Sequence, residues 1–349
     1  MTFFNILIVR TDRIGDVVLT TPAIKLLHAQ YPSARISFLT RKYSASLLYH
    51  HQYLDGVILY QPEEKHRGFM GHLRLGKELK EKSFDLAFLM YPTPGLALSL
   101  WMAEIPFRIG TGFRWYSFLF NKKIYEHRKY GLRHELEYNL ALLGDFIPKI
   151  PQPDEIEFSL RVDENLINRR TDALLHAEID GKYIIVHPGS GNSAPKLPVE
   201  TFSRIVSYLS SKTDATIIIA GNKSEEPLLG EIKSHQRKET KIKVISNWDL
   251  ETYMAVISGS SLFISNSTGP LHIARAFDIP LISFYCPATP CSPRRWGPYN
   301  RLDSVIVPDV EPCKTCNPQK CPHGNCLAKI PWRKIESLLD LRIHQIKKE

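Results

Sequence analysis

Asn5-Ile-Leu-Ile-Val-Arg-Thr-Asp-Arg-Ile-Gly-Asp16 is the stretch on which the reading of the chain turns. Ile6, Ile8 and Val9 are β-branched and sit in an unbroken apolar run, the composition of a buried strand. A short polar turn follows, and residues 20–30 then carry a helical apolar pattern. This strand–turn–helix unit recurs downstream. Apolar runs at 35–40, 56–60 and 84–90 read as strands, with helical patterns at 44–50, 71–82, 96–103 and 133–143. Pro148, Pro151 and Pro153 mark a linker, and a helix is expected at 163–177. A second series places strands at 183–186, 216–220, 241–244, 261–264 and 281–285, with helices at 198–210 and 270–277. Regular β/α alternation calls for parallel sheets covered by helices. The expected architecture is α/β, with two Rossmann-like domains, 1–155 and 156–330, facing a central cleft and a C-terminal helix over 331–349.

Bulk properties agree. The 349 residues are 43% hydrophobic and 23% charged, which suits two globular domains and excludes disordered or fibrous classes. The N-terminus has no basic stretch, long apolar run or small-residue cleavage site, so an export signal is not expected and a cytoplasmic location is. Residues 86–103 carry no charge, but Pro92, Pro94 and Gly95 interrupt them, which favours strand–loop–helix over a membrane span.

The net charge is +9, which attracts anionic partners. Arg108, Arg114, Lys122, Lys123, Arg128, Lys129 and Arg133 face only Glu126 in the stretch 107–133. Trp115, Tyr116, Phe118, Phe120 and Tyr125 lie among them. Cations mixed with interfacial aromatics suit peripheral attachment to an anionic membrane; a solvated face over buried aromatics is the alternative. The chain lacks a nucleic-acid-binding motif and its bases are dispersed, so nucleic acid is not an expected partner.

Three loops carry the chemistry. In Arg10–Asp16, Gly15 permits a tight turn and Asp16 falls at a helix start, where it can accept a proton or simply cap the helix. The run His187-Pro-Gly-Ser-Gly-Asn-Ser-Ala-Pro-Lys196 combines small residues, the hydroxyls of Ser190 and Ser193, a lysine and a helix start. That combination fits phosphate, although the spacing is not that of a Walker A loop. In Ser265-Asn-Ser-Thr-Gly-Pro-Leu-His272, Thr268 and Gly269 can offer a hydroxyl and backbone N–H groups, with His272 one turn on. Two phosphate-type loops in one domain indicate a diphosphate ligand, hence a nucleotide sugar.

Taken in order, these runs resemble glycosyltransferase family 9, the lipopolysaccharide heptosyltransferases. The resemblance lies in Ile8–Pro22, His187–Lys196, Asn266–Ala274 and the cysteine-rich tail. It implies a GT-B fold, an ADP-heptose donor in the C-terminal domain and a lipid A-core acceptor held mainly by the N-terminal one. It implies an inverting transfer that requires no cofactor. Asp16 matches the general base, and Lys196 with Ser190 the donor phosphate site. Thr268, Gly269 and His272 match donor contacts, and Glu225 or Glu226 an acidic residue near the donor. Arg13, Lys65 and Arg67 are the candidates for acceptor phosphates. Ser267 stands where many members have Asp, and Leu197 where Trp is common.

Cys313-x2-Cys316-x4-Cys321-x4-Cys326 has metal-ligand spacing, and a structural zinc is one expectation, with free or paired thiols the other. A different nucleotide-sugar donor, or a nucleotide-sugar epimerase of similar two-domain build, are the competing functions.

Overall fold

The computed structural model describes residues 2–49, 51–191, 194–237, 241–313, 316 and 321–348. Ser193 of the second loop lies outside the described residues. Two compact units make up the chain: residues 1–128 with 135–161, and residues 129–134 with 162–349. The proline-rich stretch 148–153 therefore belongs to the first unit, and the chain finally passes to the second at 161/162.

The first unit carries strands β1 (Asn5–Val9), β2 (Arg35–Arg41), β3 (Gly56–Tyr60), β4 (Leu86–Leu89), β5 (Phe107–Thr111) and β6 (Lys122–Ile124). Its helices are α1 (Ile14–Val18), α2 (Thr21–Gln30), α3 (Lys42–Ala45), α4 (Gly68–Lys80), α5 (Pro94–Met102) and α6 (Glu135–Ala141). All strands run parallel in the order β3-β2-β1-β4-β5-β6. The central strand explains its own composition: Ile6, Leu7, Ile8 and Val9 are buried, as a strand covered on both faces requires. Proline in the first turn opens α2 and α5, and Thr93 caps α5 by accepting the Leu96 N–H.

The second unit repeats the plan. Its strands are β7 (Tyr183–His187), β8 (Thr216–Ala220), β9 (Ile242–Ile245), β10 (Leu262–Asn266), β11 (Leu281–Phe284) and β12 (Val305–Ile306). Its helices are α7 (Glu164–His176), α8 (Val199–Lys212), α9 (Glu226–Ser234), α10 (Leu250–Ile257), α11 (Gly269–Ala276), α12 (Pro293–Trp296) and α13 (Trp332–Lys348). The sheet is again six-stranded and parallel, β12-β11-β10-β7-β8-β9. Phe202, Ile205, Val206 and Leu209 of α8 pack with Ile184 and Val186 of β7 and Ile217 and Ile219 of β8. Leu339 and Ile343 of α13 close the same core.

The α/β reading holds, with two Rossmann-like units. β5, β6, β12, α1, α9, α10 and α12 were not anticipated. β6 is a three-residue edge strand whose Lys122 and Lys123 are exposed, and an edge strand needs no apolar run because only one side is paired. The helix expected at 44–50 is the single turn α3, and His50 lies outside the described residues.

In both sheets the first strand lies between the second and the fourth. The strand order reverses at that point, so the loops leaving the central pair splay apart and open a crevice at the carboxyl edge. The loops concerned are those after β1 and β4 in the first unit, and after β7 and β10 in the second. Three of these four are the loops singled out from the sequence.

Candidate active site

In the first unit, Asp16 lies on the first turn of α1 and is 6% exposed. Its Oδ1 accepts from Arg10 Nη2. Arg10, at the end of β1, is 1% exposed and distributes its guanidinium over several acceptors. Nε and Nη2 fork onto Asp12 at 2.6 and 2.8 Å, and Nη1 donates to Asn139 Oδ1 at 2.9 Å. Glu135 Oε1 lies 3.4 Å from both Nη atoms and also accepts from Arg128. Burial pushes the Asp16 carboxyl up and Arg10 pulls it down; the carboxylates of Asp12 and Glu135 add to the rise, and it settles at about 6. Burial works against the charge on Arg10, but Asp16, Asp12 and Glu135 more than offset it and the guanidinium stays charged.

Arg13, which precedes α1, and Arg67, which precedes α4, are exposed and have no ion-pair partner among the described residues. Lys65 is partly committed, with its Nζ 3.2 Å from Glu78. Of the aromatics between 107 and 133, Tyr116 and Phe120 are buried, whereas Trp115, Phe118 and Tyr125 are exposed. Among the described residues, no helix is long and apolar enough to cross a membrane.

In the second unit, the loops after β7 and β10 are joined by one side chain. Asn266, wholly buried at the end of β10, accepts the Leu197 N–H (2.9 Å) and donates to the Pro188 carbonyl (2.7 Å). It thus holds the run 188–197 at both ends. Lys196, just inside that bracket, is exposed and makes no ion pair among the described residues. Ser190 is buried, its hydroxyl turned to the Gly191 carbonyl.

Glu225 closes the same edge from the loop after β8. Its Oε2 accepts the Asn222 N–H at 2.9 Å, and a Cβ placed on Gly189 would fall 2.0 Å from its Oε1. Gly189 is therefore glycine because the Glu225 carboxylate fills the space of a side chain. The adjacent Glu226 is turned away and accepts from Ser246, so of the two acids Glu225 is the one at the loop.

Thr268 caps α11 without using its hydroxyl on the helix. With Gly269 it leaves donors at the start of an eight-residue helix. Ser267 lies close to the Tyr285 hydroxyl, which donates to the Trp296 carbonyl at 2.6 Å. His272 is buried, and its Nδ1 has no hydrogen-bond partner among the described residues. Burial, reinforced by nearby His134, lowers it to about 3, so His272 offers a neutral ring and not a cation. His187, hydrogen-bonded to the Tyr253 hydroxyl at 2.9 Å, is likewise held neutral by burial, at about 4.

The cysteines gather more widely than the tail alone. Cys286 and Cys291, from the segment after β11, join Cys313, Cys316, Cys321 and Cys326, and all six are free. Sγ of Cys286 lies 3.9 Å from that of Cys316 and accepts the Ala288 N–H at 3.4 Å. The Cys316 thiol also lies beside that of Cys291, and the Cys326 thiol beside that of Cys286. Among the described residues, no three His, Cys, Asp or Glu side chains form a ready cation-binding group. Cys286 and Cys291 were not anticipated, yet their x4 spacing repeats that of Cys316, Cys321 and Cys326. Asn266, Glu135 and Asn139 were also missed as site residues, since single polar residues in apolar or helical runs carry no local signal.

A family model described as glycosyltransferase family 9 (heptosyltransferase) matches residues 72–327. A Haemophilus influenzae protein described no further than as a glycosyltransferase is 28% identical over 312 residues, 87% of this chain and 88% of its own. The lipopolysaccharide core heptosyltransferase OpsX of the same organism is 24% identical, covering 94% of this chain and 89% of its own. Among solved structures, Escherichia coli ADP-heptose lipopolysaccharide heptosyltransferase II superposes with a TM-score of 0.80 at 19% identity, over 99% of this chain and 100% of that one. The match spans well over half the chain, the fold agrees throughout, and the protein belongs to glycosyltransferase family 9, the heptosyltransferases.

Proposed function

We propose that this enzyme moves a heptose from ADP-heptose to the inner core of a lipopolysaccharide acceptor, with inversion at the anomeric carbon. The similar E. coli protein named above is an ADP-heptose lipopolysaccharide heptosyltransferase, which supports this choice of donor and acceptor. The observation that carries the mechanism is the Asp16 carboxylate, buried at the switch point of its sheet and raised to about 6. At neutral pH it is mostly ionised, yet more basic than a free carboxylate, which is what a general base requires. Arg10 holds Oδ1 and leaves Oδ2 to take the proton of the acceptor hydroxyl. That oxygen attacks the anomeric carbon from the face opposite the diphosphate, whose bond to the sugar breaks.

Charge gathering on the departing ADP is met by the Lys196 ammonium, the N–H groups at Gly269 and the Thr268 and Ser190 hydroxyls. Glu225 and the neutral His272 complete the donor contacts. Arg13 and Arg67, with Lys65 once it leaves Glu78, take acceptor phosphates. Asp16→Asn should lower turnover by roughly two to four orders of magnitude with the fold intact. Near-normal transfer by this variant would defeat the assignment. A donor screen by thermal shift separates ADP-heptose from other nucleotide sugars, because only a bound ligand raises the melting temperature.

Two further parts belong to this reading. The exposed Trp115, Phe118 and Tyr125, with Arg114 and Lys123, would rest on the anionic face of the inner membrane from the cytoplasmic side. Binding to vesicles containing anionic lipid, weakened by salt and by Trp115→Ala, tests this. Cys313, Cys316, Cys321 and Cys326 would hold a structural zinc; thiols suit such a soft ion, and Cys286 and Cys291 are within reach to replace one of them. No step of the transfer uses it. One equivalent of zinc in protein purified without chelator is the expected result, and metal-free folded protein would refute it.

A further inference from the structure

Three carboxylates around Asp16 share one buried guanidinium. Asp12, Asp16 and Glu135 all face Arg10, and Glu135 alone also takes Arg128. The exposed Arg13 is a further cation close to Asp16, and Tyr43 of α3 a further titratable neighbour. Asn139, from the same helix as Glu135, donates to the Leu19 carbonyl and Thr20 Oγ1, both at 3.2 Å. α6 is thereby pinned to the turn that follows Asp16.

A lone buried Arg–Asp pair makes a poor base. The guanidinium holds such a carboxylate ionised well below the usual range, so it has little affinity for a proton. Here the guanidinium is shared. Asp12 occupies its Nε edge, Asn139 takes Nη1, and Glu135 lies across both Nη atoms. Glu135 also adds a negative charge that an amide of the same shape would lack.

We propose that Glu135 is a positioning residue for transfer: by competing for Arg10 it keeps Asp16 a proton acceptor and stops it becoming a spent ion pair. The inference rests on Asp16 being the general base. It assigns Arg10 the task of fixing the direction of the carboxylate and Glu135 the task of setting its basicity. The elevated proton affinity of Asp16 comes first from burial; against the pull of Arg10, the charges of Asp12 and then Glu135 add to it.

The decisive experiment is a kcat/KM profile from pH 4.5 to 8.5 for Glu135→Gln, with Asp12→Asn and Asp16→Asn measured alongside. Gln keeps one acceptor oxygen for Arg10 and Arg128, turns the other carboxylate oxygen into an NH2 group and removes the charge. The acid limb, expected near pH 6 in the unaltered enzyme, should move down by about one unit. The plateau should drop about threefold, as a weaker base transfers protons more slowly. The donor KM should not move. A merely structural role for Glu135 would lower the melting temperature and leave the limb in place. Asp12→Asn should shift the limb in the same direction, and Glu135→Ala takes the place of Glu135→Gln if the latter does not fold. An unmoved limb in the folded variants, with Asp16→Asn inactive, overturns this inference alone. Normal turnover by Asp16→Asn overturns the base assignment beneath it.

Discussion

Asn266→Ala should loosen the donor loop and cost the second unit much of its stability. The side chain is wholly buried and makes two hydrogen bonds, to the Leu197 N–H at 2.9 Å and the Pro188 carbonyl at 2.7 Å. Removing it leaves both backbone groups without their partner. An orphaned buried N–H costs about 1–3 kcal/mol; a carbonyl costs less, because it is more often left under-satisfied. The vacated volume adds to this, so a loss of about 3 kcal/mol is expected. That is a large part of a typical folding free energy of about 5–15 kcal/mol.

Urea unfolding at pH 7.5 measures it directly. The same variant frees residues 188–197 at both ends, so ADP affinity by titration calorimetry should fall about tenfold or more, since the loop must be ordered again on binding. Asn266→Asp is the informative companion. It keeps an acceptor for Leu197, but sets a carboxylate oxygen against the Pro188 carbonyl and should be no milder than alanine. An unfolding free energy within about 0.5 kcal/mol of the unaltered protein would refute the reasoning, because two buried bonds of this kind cannot be lost so cheaply.

Gly189→Ala should raise the donor KM about tenfold with little change in kcat. The new methyl would fall 2.0 Å from Glu225 Oε1 and 2.2 Å from its Cδ, and the flexible acid would move aside without unfolding the protein. Glu225→Ala should give the same KM, and the double variant no more, as expected of two changes acting through one contact. An unchanged KM in steady-state kinetics would remove Glu225 from the donor contacts.

Acid should destabilise the fold while most of the carboxylates are still ionised. His51, His187 and His272 are held at about 4, about 4 and about 3 by burial, below their ordinary 6.5. A histidine depressed in the folded state favours unfolding once pH falls below its unfolded value. Between pH 6.5 and 5.5 the three together cost about 3 kcal/mol. Asp16, raised to about 6, acts in the opposite sense and returns about 0.7 kcal/mol over the same interval. Urea midpoints at the two pH values should therefore differ by about 2 kcal/mol of unfolding free energy, and equal midpoints would contradict the burial of these rings.

The sequence alone determined the parts that depend on short stretches of chain. The apolar run Ile6–Val9, the repeated strand–turn–helix pattern and the three loops at Asp16, Lys196 and Thr268 could be read because periodicity and turn chemistry are local. Only the tertiary structure decided which strands are neighbours. β1 next to β4, and β7 next to β10, make those loops the switch-point loops of their sheets. It likewise decided which polar residues surround them. Glu135 meets Arg10 across 125 positions, and Asn266 meets Pro188 across 78. Burial and ion pairing depend on what packs nearby in space, so the basicity of Asp16 and the bracing of Pro188 and Leu197 by Asn266 are properties of the folded chain, invisible in either partner's own neighbourhood.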